Sequence, residues 1–423
     1  MGRSQQPKWL MTLAAAGAVA VASCSGGSRS TSSAAVAGST SATAGAAASG
    51  PCTGPGITNG KLTVGVIQQD SGNPVVVSDF KHAIEVVRAR FAEENAKGGV
   101  DGLQLAAVSA DDGGTTTQNL SAARQLVEQD NAFGIVEVSI EPGGSGDYLK
   151  AKGIPVTGWA TASDPFALDN NFFGAVGGID ADPAKTPDTS IVGFLKAKGV
   201  TNLALLGGTD PGSVGATAGT AAAAKATGIT VGYQTSAVQF GTKDFTADVA
   251  KMKSAGVNGV VTELDPTTNL ALAAAIKQAG ITPVILFTTG YDQRLISAVS
   301  TLVEGDYFLS FFAPFELKLP VHQRFAQDMA QGAPSAPIGE VAAISWLSAD
   351  MFIRGLQEAG GCPTRQAFVR NLRKITYDGG GFIAPIDLST QVGRGNLCYW
   401  EVQARGKAFV PVSTQPFCGK FLS

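Results

Sequence analysis

Apolar residues recur along this chain in two alternating rhythms. Leu62 to Ile67 is a short apolar run that stops in the polar loop Gln68–Asn73. Phe80, Ala83, Ile84, Val87 and Phe91 then return at helical spacing, with Ser78 as the expected N-cap. A buried strand, a loop and an amphipathic helix make the first half of a βαβ unit. Ligands of open α/β sheets sit at the carboxyl ends of such strands, so Gln69, Asp70 and Ser71 are candidate contacts. The helix is expected to end at Lys97-Gly98-Gly99, where glycine can take the left-handed position.

The same alternation continues. Leu103–Ser109 and Phe133–Val138 read as strands around a helix at Gln118–Gln129, with Thr115 or Thr116 as its cap. Further strands are expected at Ile154–Val156, Leu203–Leu206, Thr230–Tyr233, Gly259–Thr262 and Pro283–Phe287. Helices are expected between them at Ala216–Ala226, Phe245–Ala255 and Asn269–Ala279. Strands alternating with helices at this spacing imply mostly parallel sheets with helices on both faces. Beyond the aromatic strand Tyr307–Phe312 the rhythm changes to a proline-bearing segment, two longer helices (Gly339–Ala359 and Thr364–Ile375) and a terminal hairpin around Arg405-Gly406-Lys407. The βα series runs twice, which fits two similar lobes joined by more than one crossover.

Composition adds the compartment. The chain has 423 residues, 44% of them hydrophobic and 15% charged, with a net charge of -3. That leaves no basic field for nucleic acid. Arg3 and Lys8 precede the short apolar run Leu10–Ala22, which reads as a signal peptide over residues 1–23 and not as a membrane span. The run ends in Val21-Ala22-Ser23-Cys24, which resembles a bacterial lipobox whose cysteine carries lipid. Ser25–Gly50 is almost entirely Ser, Ala, Gly and Thr, so residues 24–56 are expected to be a lipid-anchored flexible tether. Together these place the folded body outside the cytoplasmic membrane.

With Cys24 lipidated, four cysteines remain, and an exported chain with four cysteines suggests two disulfides with three connectivities open. Cys362 precedes a helix and Cys398 opens the terminal hairpin, while Cys52 and Cys418 flank the body. Chain termini often lie close together, so the expectation is Cys362–Cys398 and Cys52–Cys418. Only two histidines and no CxxC pair argue against a metal site. The glycine-rich loop Glu141–Gly146 lacks the ending of a P-loop and serves equally as a carboxylate-binding nest or a plain turn. No GxSxG occurs, and neither His82 nor His322 stands in a strand-end loop, so catalysis has little support. No cofactor is expected.

The stretches Lys61–Gly72, Phe91–Asp112 (FAEENAKGGVDGLQLAAVSADD), Gln118–Val127, Gly153–Ala162 and Phe382–Asp387 give the chain a family likeness. It resembles the type I periplasmic solute-binding proteins of branched-chain amino acid ABC transporters, the group of leucine/isoleucine/valine-binding proteins. The GGVDG segment with its following aspartate is the most specific of these. The resemblance implies two α/β lobes, residues 57–176 with 310–388 and residues 177–309 with 389–423. It also implies hinge closure on a small molecule and delivery of that molecule, by a monomer, to an ABC permease. A ligand-sensing receptor domain of the same fold is the other reading.

The resemblance also maps the ligand contacts. The first lobe would hold a carboxylate through Ser139–Ser145, including Glu141, Gly143 and Ser145, and through Ala160-Thr161. Thr161 reads equally as a helix cap on its residue type alone. The second lobe would close with Asp210–Ser213, Glu263–Asp265 and Thr289–Tyr291. The second-lobe acid that holds an ammonium in the family falls at Gly290-Tyr291, and neither of these is an acid. Trp159, Phe240 and Tyr291 offer aromatic surface. The ligand is therefore expected to be a small apolar or aromatic carboxylate in preference to an α-amino acid.

The anchor is directly testable. Replacing Cys24 with Ala should abolish both palmitate labelling and membrane retention. Two acyl chains suffice for stable anchoring, since each buried methylene contributes about 0.8 kcal/mol. Unchanged membrane fractionation of the variant would refute the lipobox.

Overall fold

The computed structural model describes residues 52–160, 164–177, 180, 182–392, 394 and 396–422. The signal peptide, Cys24, most of the tether and Thr161 lie outside the described residues.

The first lobe is built on β1 (Ile57–Thr58), β2 (Lys61–Gln68), β3 (Gln104–Asp111), β4 (Ile135–Val138), β5 (Val156–Ala160) and β6 (Phe172–Gly177). The order β3-β2-β4-β5-β6 is parallel throughout, and β1 lies antiparallel beside the start of β2. Between these strands run α1 (Pro74–Phe80), α2 (Ala83–Ala96), α3 (Thr116–Arg124), α4 (Gly146–Ala151) and α5 (Asp164–Leu168). Successive strand side chains face opposite ways. Val64, Val66, Val136 and Val138 join one core, whereas Ile67, Ile135 and Val156 join another beneath α3 and α4.

The chain then enters the second lobe. It runs α6 (Ser190–Ala197), β7 (Asn202–Gly208), α7 (Pro211–Ala226), β8 (Thr230–Val238), α8 (Thr246–Ser254), β9 (Gly259–Glu263), α9 (Pro266–Gln278), β10 (Val284–Phe287), α10 (Gln293–Val299) and β11 (Tyr307–Ser310). It returns to pack α11 (Pro320–Gly332), α12 (Glu340–Ala359) and α13 (Arg365–Leu372) with the first lobe, followed by the small pair β12 (Thr376–Tyr377) and β13 (Ile386–Asp387). It ends on the second sheet as β14 (Cys398–Arg405), β15 (Ala408–Pro411) and β16 (Phe417–Cys418). In that sheet β8-β7-β9-β10-β11 are parallel, and β14 and β15 close one edge antiparallel. Three crossovers thus join two α/β lobes, the architecture expected from the sequence.

Strand-to-helix turns share one device. Asn73, Asp210 and Asp265 each cap a helix through a side-chain oxygen that accepts a backbone N–H, and a proline follows each in the first turn. This moves the first helix from where the spacing put it. Asn73 caps α1, five residues before Ser78, which lies inside the helix and donates back to the Val75 carbonyl. The proline-bearing segment after β11 is also helical: Pro320 sits at the start of α11, where a missing N–H costs nothing.

The disulfides differ from expectation. Cys52 pairs with Cys362, and Cys398 with Cys418. The end of the chain does not return to its beginning. Instead β16 lies antiparallel on β14 with Cys398 directly opposite Cys418, and Cys52 meets the turn between α12 and α13. Non-reducing peptide mapping should yield these two cross-links. Removing the Cys52–Cys362 bridge should lower unfolding stability by about 2–4 kcal/mol, and free thiols at all four positions would contradict the pairing.

Candidate functional site

The carboxyl ends of both sheets face one cavity of about 230 Å³. From the first lobe come Val76, Asp79 and Phe80 of α1, Ile140 after β4, and Trp159 and Ala160 of β5. From the second come Asp210 after β7, Phe240 after β8, Glu263 to Pro266 after β9, and Thr288 and Thr289 after β10. The first turn of α12 adds Glu340 and Val341. The cavity then continues between α6 and α7, past Ile191, Val192, Ala216, Thr220 and Ala223, to Leu309, Phe311 and Tyr399. Val192, Ala223, Leu309 and Tyr399 belong to the second lobe's own core. The site is therefore a cleft with an apolar extension into one lobe.

Local sequence explains its shape. Trp159 is 6% exposed and stacks on Phe80, with ring centroids 5.5 Å apart. Its indole Nε1 is buried without a partner. Gly208 ends β7 bare, because a Cβ there would stand 2.6 Å from the Phe240 ring. Along α7 small residues (Ala216, Gly219, Ala223) leave room for the extension.

The polar lining is acidic. Asp79, Asp180, Asp188, Asp210, Glu263, Asp265 and Glu340 reach the cavity, and among the described residues no Lys, Arg or His lines it. Three of these acids serve the backbone. Asp188 accepts from the Ser190 N–H at 2.7 Å, Asp210 from the Ser213 N–H at 2.8 Å, and Asp265 from the Thr268 N–H at 3.0 Å and the Gly241 N–H at 3.1 Å. The other oxygen of Asp210, Oδ2, is buried and unpartnered.

Asp79, Glu263 and Glu340 are in a different position. Glu263 Oε2 accepts from the Thr288 hydroxyl at 2.9 Å. Burial pushes its carboxyl up to about 8, with Asp210 adding to the rise. Glu340 accepts from the Gly290 N–H, yet its Oε1 is buried with no partner. Burial, with Asp79 and Glu263 beside it, holds it at about 8. Asp79 is raised to about 6, by burial first and by Asp292 second.

Several residues expected at the site lie elsewhere. Asp70 and Ser71 donate their backbone N–H groups to Asp111 Oδ1 at 2.8 and 3.2 Å, which ties their loop to the end of β3 and away from the cavity. Gln69 is buried and donates to the Ser71 carbonyl at 3.2 Å. Ser139 is fully buried, donates to Asp112 and accepts from the Glu141 N–H at 2.9 Å. The glycine-rich loop is a short 3-10 turn in which Gly143 and Ser145 stay off the cavity, and Gly144 packs against the Thr116 carbonyl. Glu141 is raised by partial burial and by Asp210 across the cleft.

Tyr291 is the clearest correction. It is 1% exposed, donates to Glu316 Oε2 at 2.6 Å and accepts from the Phe315 N–H at 2.8 Å. Its ring belongs to an aromatic cluster with Phe312, Phe315 and Phe409. Of the expected residues, Trp159, Ala160, Asp210, Gly212, Ser213, Phe240, Glu263, Leu264, Asp265 and Thr289 do line the cavity. Asp79, Phe80 and Glu340 were not expected there. The Asn73 cap would have placed Asp79 and Phe80 on a helix at the cleft; for Glu340 only its position at the start of a long apolar helix was a signal.

Comparison with known proteins agrees with this architecture. A family model described as periplasmic binding protein matches residues 61–408. No curated protein sequence matches. Among solved structures, a fatty acid ABC transporter substrate-binding protein from Thermomonospora curvata is 19% identical, with a TM-score of 0.72 over 86% of this chain and 94% of that one. A leucine-binding protein from Thermotoga maritima is 16% identical, with a TM-score of 0.67 over 83% and 97%. A solute-binding protein from R. palustris in complex with benzoate is 14% identical, with a TM-score of 0.66 over 84% and 97%. At these identities the structures share the fold. The match to the family model covers most of the chain, with two α/β lobes facing a common cavity, and the chain belongs to the periplasmic binding protein family.

Proposed function

We propose that the protein is an extracytoplasmic solute-binding lipoprotein, anchored through Cys24, that closes its lobes on an elongated and mostly apolar small molecule and delivers it to an ABC permease. The observation that carries this reading is the cavity. It is lined by both lobes, so an occupant would bridge them and favour the closed state. It also runs into the second lobe's core between α6 and α7, which suits a chain-like apolar body better than a compact amino acid side chain. One similar structure is named for fatty acid transport and another is in complex with benzoate, and both molecules are apolar bodies with one polar end. A carboxylate end is not carried over to this chain, because Ser139 and Ser145 are turned into the protein and the cleft is ringed by acids.

The test is a homologous series. Titration calorimetry with linear alkanols should show affinity rising with chain length until the extension is full, by about 0.8 kcal/mol per methylene. Ala216→Trp, which fills the extension from α7, should cut that gain while circular dichroism stays unchanged. Leucine binding as tightly as the longest alkanol, with no dependence on chain length, would refute the reading.

A further inference from the structure

We propose that Asp79, Glu263 and Glu340 form a cation subsite at the polar end of the cavity, so that the ligand is an amine-headed amphiphile and not an anion. The inference rests on the reading of the cavity as a solute site and adds the chemistry of the ligand's head.

Geometry comes first. The three carboxyls come from separate elements: Asp79 from α1 in the first lobe, Glu263 from the end of β9 in the second, and Glu340 from the first turn of α12. All three line the same cavity. None caps a helix, in contrast to Asp210 and Asp265, each of which gives one oxygen to the first N–H groups of its helix, though Asp210 Oδ2 is left without a partner. Glu340 Oε1 is shut away from solvent with no hydrogen-bond partner. Left so, a buried polar oxygen costs about 1–3 kcal/mol; a donor arriving with the ligand would remove that cost.

Among the described residues one cation acts on the trio. Asp79 faces Asp292, Arg294 and Asp265; Glu263 faces Thr288 and Asp210; Glu340 faces the Gly290 N–H, Asp79 and Glu263. Arg294 shares a small adjoining cavity with His82, Asp292 and two of the three acids, Asp79 and Glu340, but its guanidinium is already held by Asp292 through bonds of 2.8 and 3.3 Å. Among the described residues an anion in the cleft would meet no basic side chain, and only neutral donors such as the Trp159 N–H and the lining hydroxyls would offset the acids. An ammonium would meet three carboxyls and, beside them, the faces of the stacked Phe80 and Trp159 pair, which attract cations in their own right.

Protons compete for these carboxyls: burial pushes Glu263 and Glu340 up to about 8 and Asp79 up to about 6. A cation has to displace those protons. Its affinity therefore rises with pH between about 6 and 8, by up to about tenfold per pH unit for each proton released. A carboxylate held by the same protonated acids and by the Trp159 N–H would show the opposite slope.

The experiment is calorimetry of the full chain with n-octylamine, n-octanol and n-octanoate, at pH 6 and pH 8 and in two buffers of different ionisation enthalpy. Octylamine should bind best, at least about tenfold tighter than octanoate, with affinity rising with pH and protons released to the buffer. Glu340→Gln should lower the ratio of amine to alcohol affinity by about tenfold or more while the melting curve stays cooperative. Octanoate binding as tightly as octylamine, or an amine-to-alcohol ratio unmoved by Glu340→Gln and by Glu263→Gln, overturns the cation subsite alone. Failure of all three probes, octanol included, overturns the apolar-solute reading as well.

Discussion

Helix α12 is the packing constraint on which the rest of the molecule leans. Thirteen of its 20 residues are buried, with Ile344, Trp346, Leu347, Phe352 and Leu356 fully so, and apolar surface of that breadth has to be enclosed. Here β4, β5, β6, α2 and α13 enclose it. Trp346 lies between the guanidinium groups of Arg90 and Arg324, 5.4 and 5.2 Å from its ring, and its N–H donates to Asp328 at 2.7 Å. Arg90 and Arg324 are bound in turn by Glu93 and Asp350. Breaking such a half-sunk charge network by removing one partner typically costs about 3–5 kcal/mol. The same rigid helix brings its first turn to the cleft, where Glu340 meets residues of both lobes.

That placement separates two uses of acidic residues within one small volume. An aspartate before a proline, at the end of a strand, commits at least one oxygen to the turn it makes, satisfying N–H groups that the helix leaves open. An acid inside a helix, or at the last residue of a strand, owes nothing to the backbone, and its partners are hydroxyls such as Thr288 for Glu263 and Ser78 for Asp79. Asp210 and Asp265 are of the first kind, Asp79 and Glu263 of the second. Counting acids around a cleft says little until this division has been made.

Much of the fold was legible because alternation of strands and helices survives substitution. β2, β3, β7, β9, β10 and α12 fall where the apolar runs put them, and two lobes follow from their order. Boundaries set by a cap were less visible. Asn73-Pro74 outcompeted Ser78 because an Asx side chain and an N1 proline together define a start that periodicity alone cannot see. The site was half legible. Strand-end position found Trp159, Ala160, Asp210 and Glu263, since topology fixes where strands end. It failed for Tyr291, which follows a strand but turns toward Glu316 and an aromatic cluster. It also missed Glu340, which arrives on α12, 49 residues beyond Tyr291, and reaches the cavity only through tertiary packing. The disulfides failed for a related reason: pairing of β14 with β16 is a long-range fact with no local signal.

The Cys52–Cys362 bridge has a mechanical meaning. It fastens the start of the folded body to the turn beyond the far end of α12. A helix of 20 residues is about 30 Å long, so this fastening lies roughly that far from the end of α12 that carries Glu340. Tension applied through the residues before Cys52 passes covalently into the stiffest element of the first lobe and bypasses the three crossovers. In the proposed lipid-anchored clamp the first lobe would be the fixed half, and the second lobe, which shares no disulfide with it, would be the half that swings.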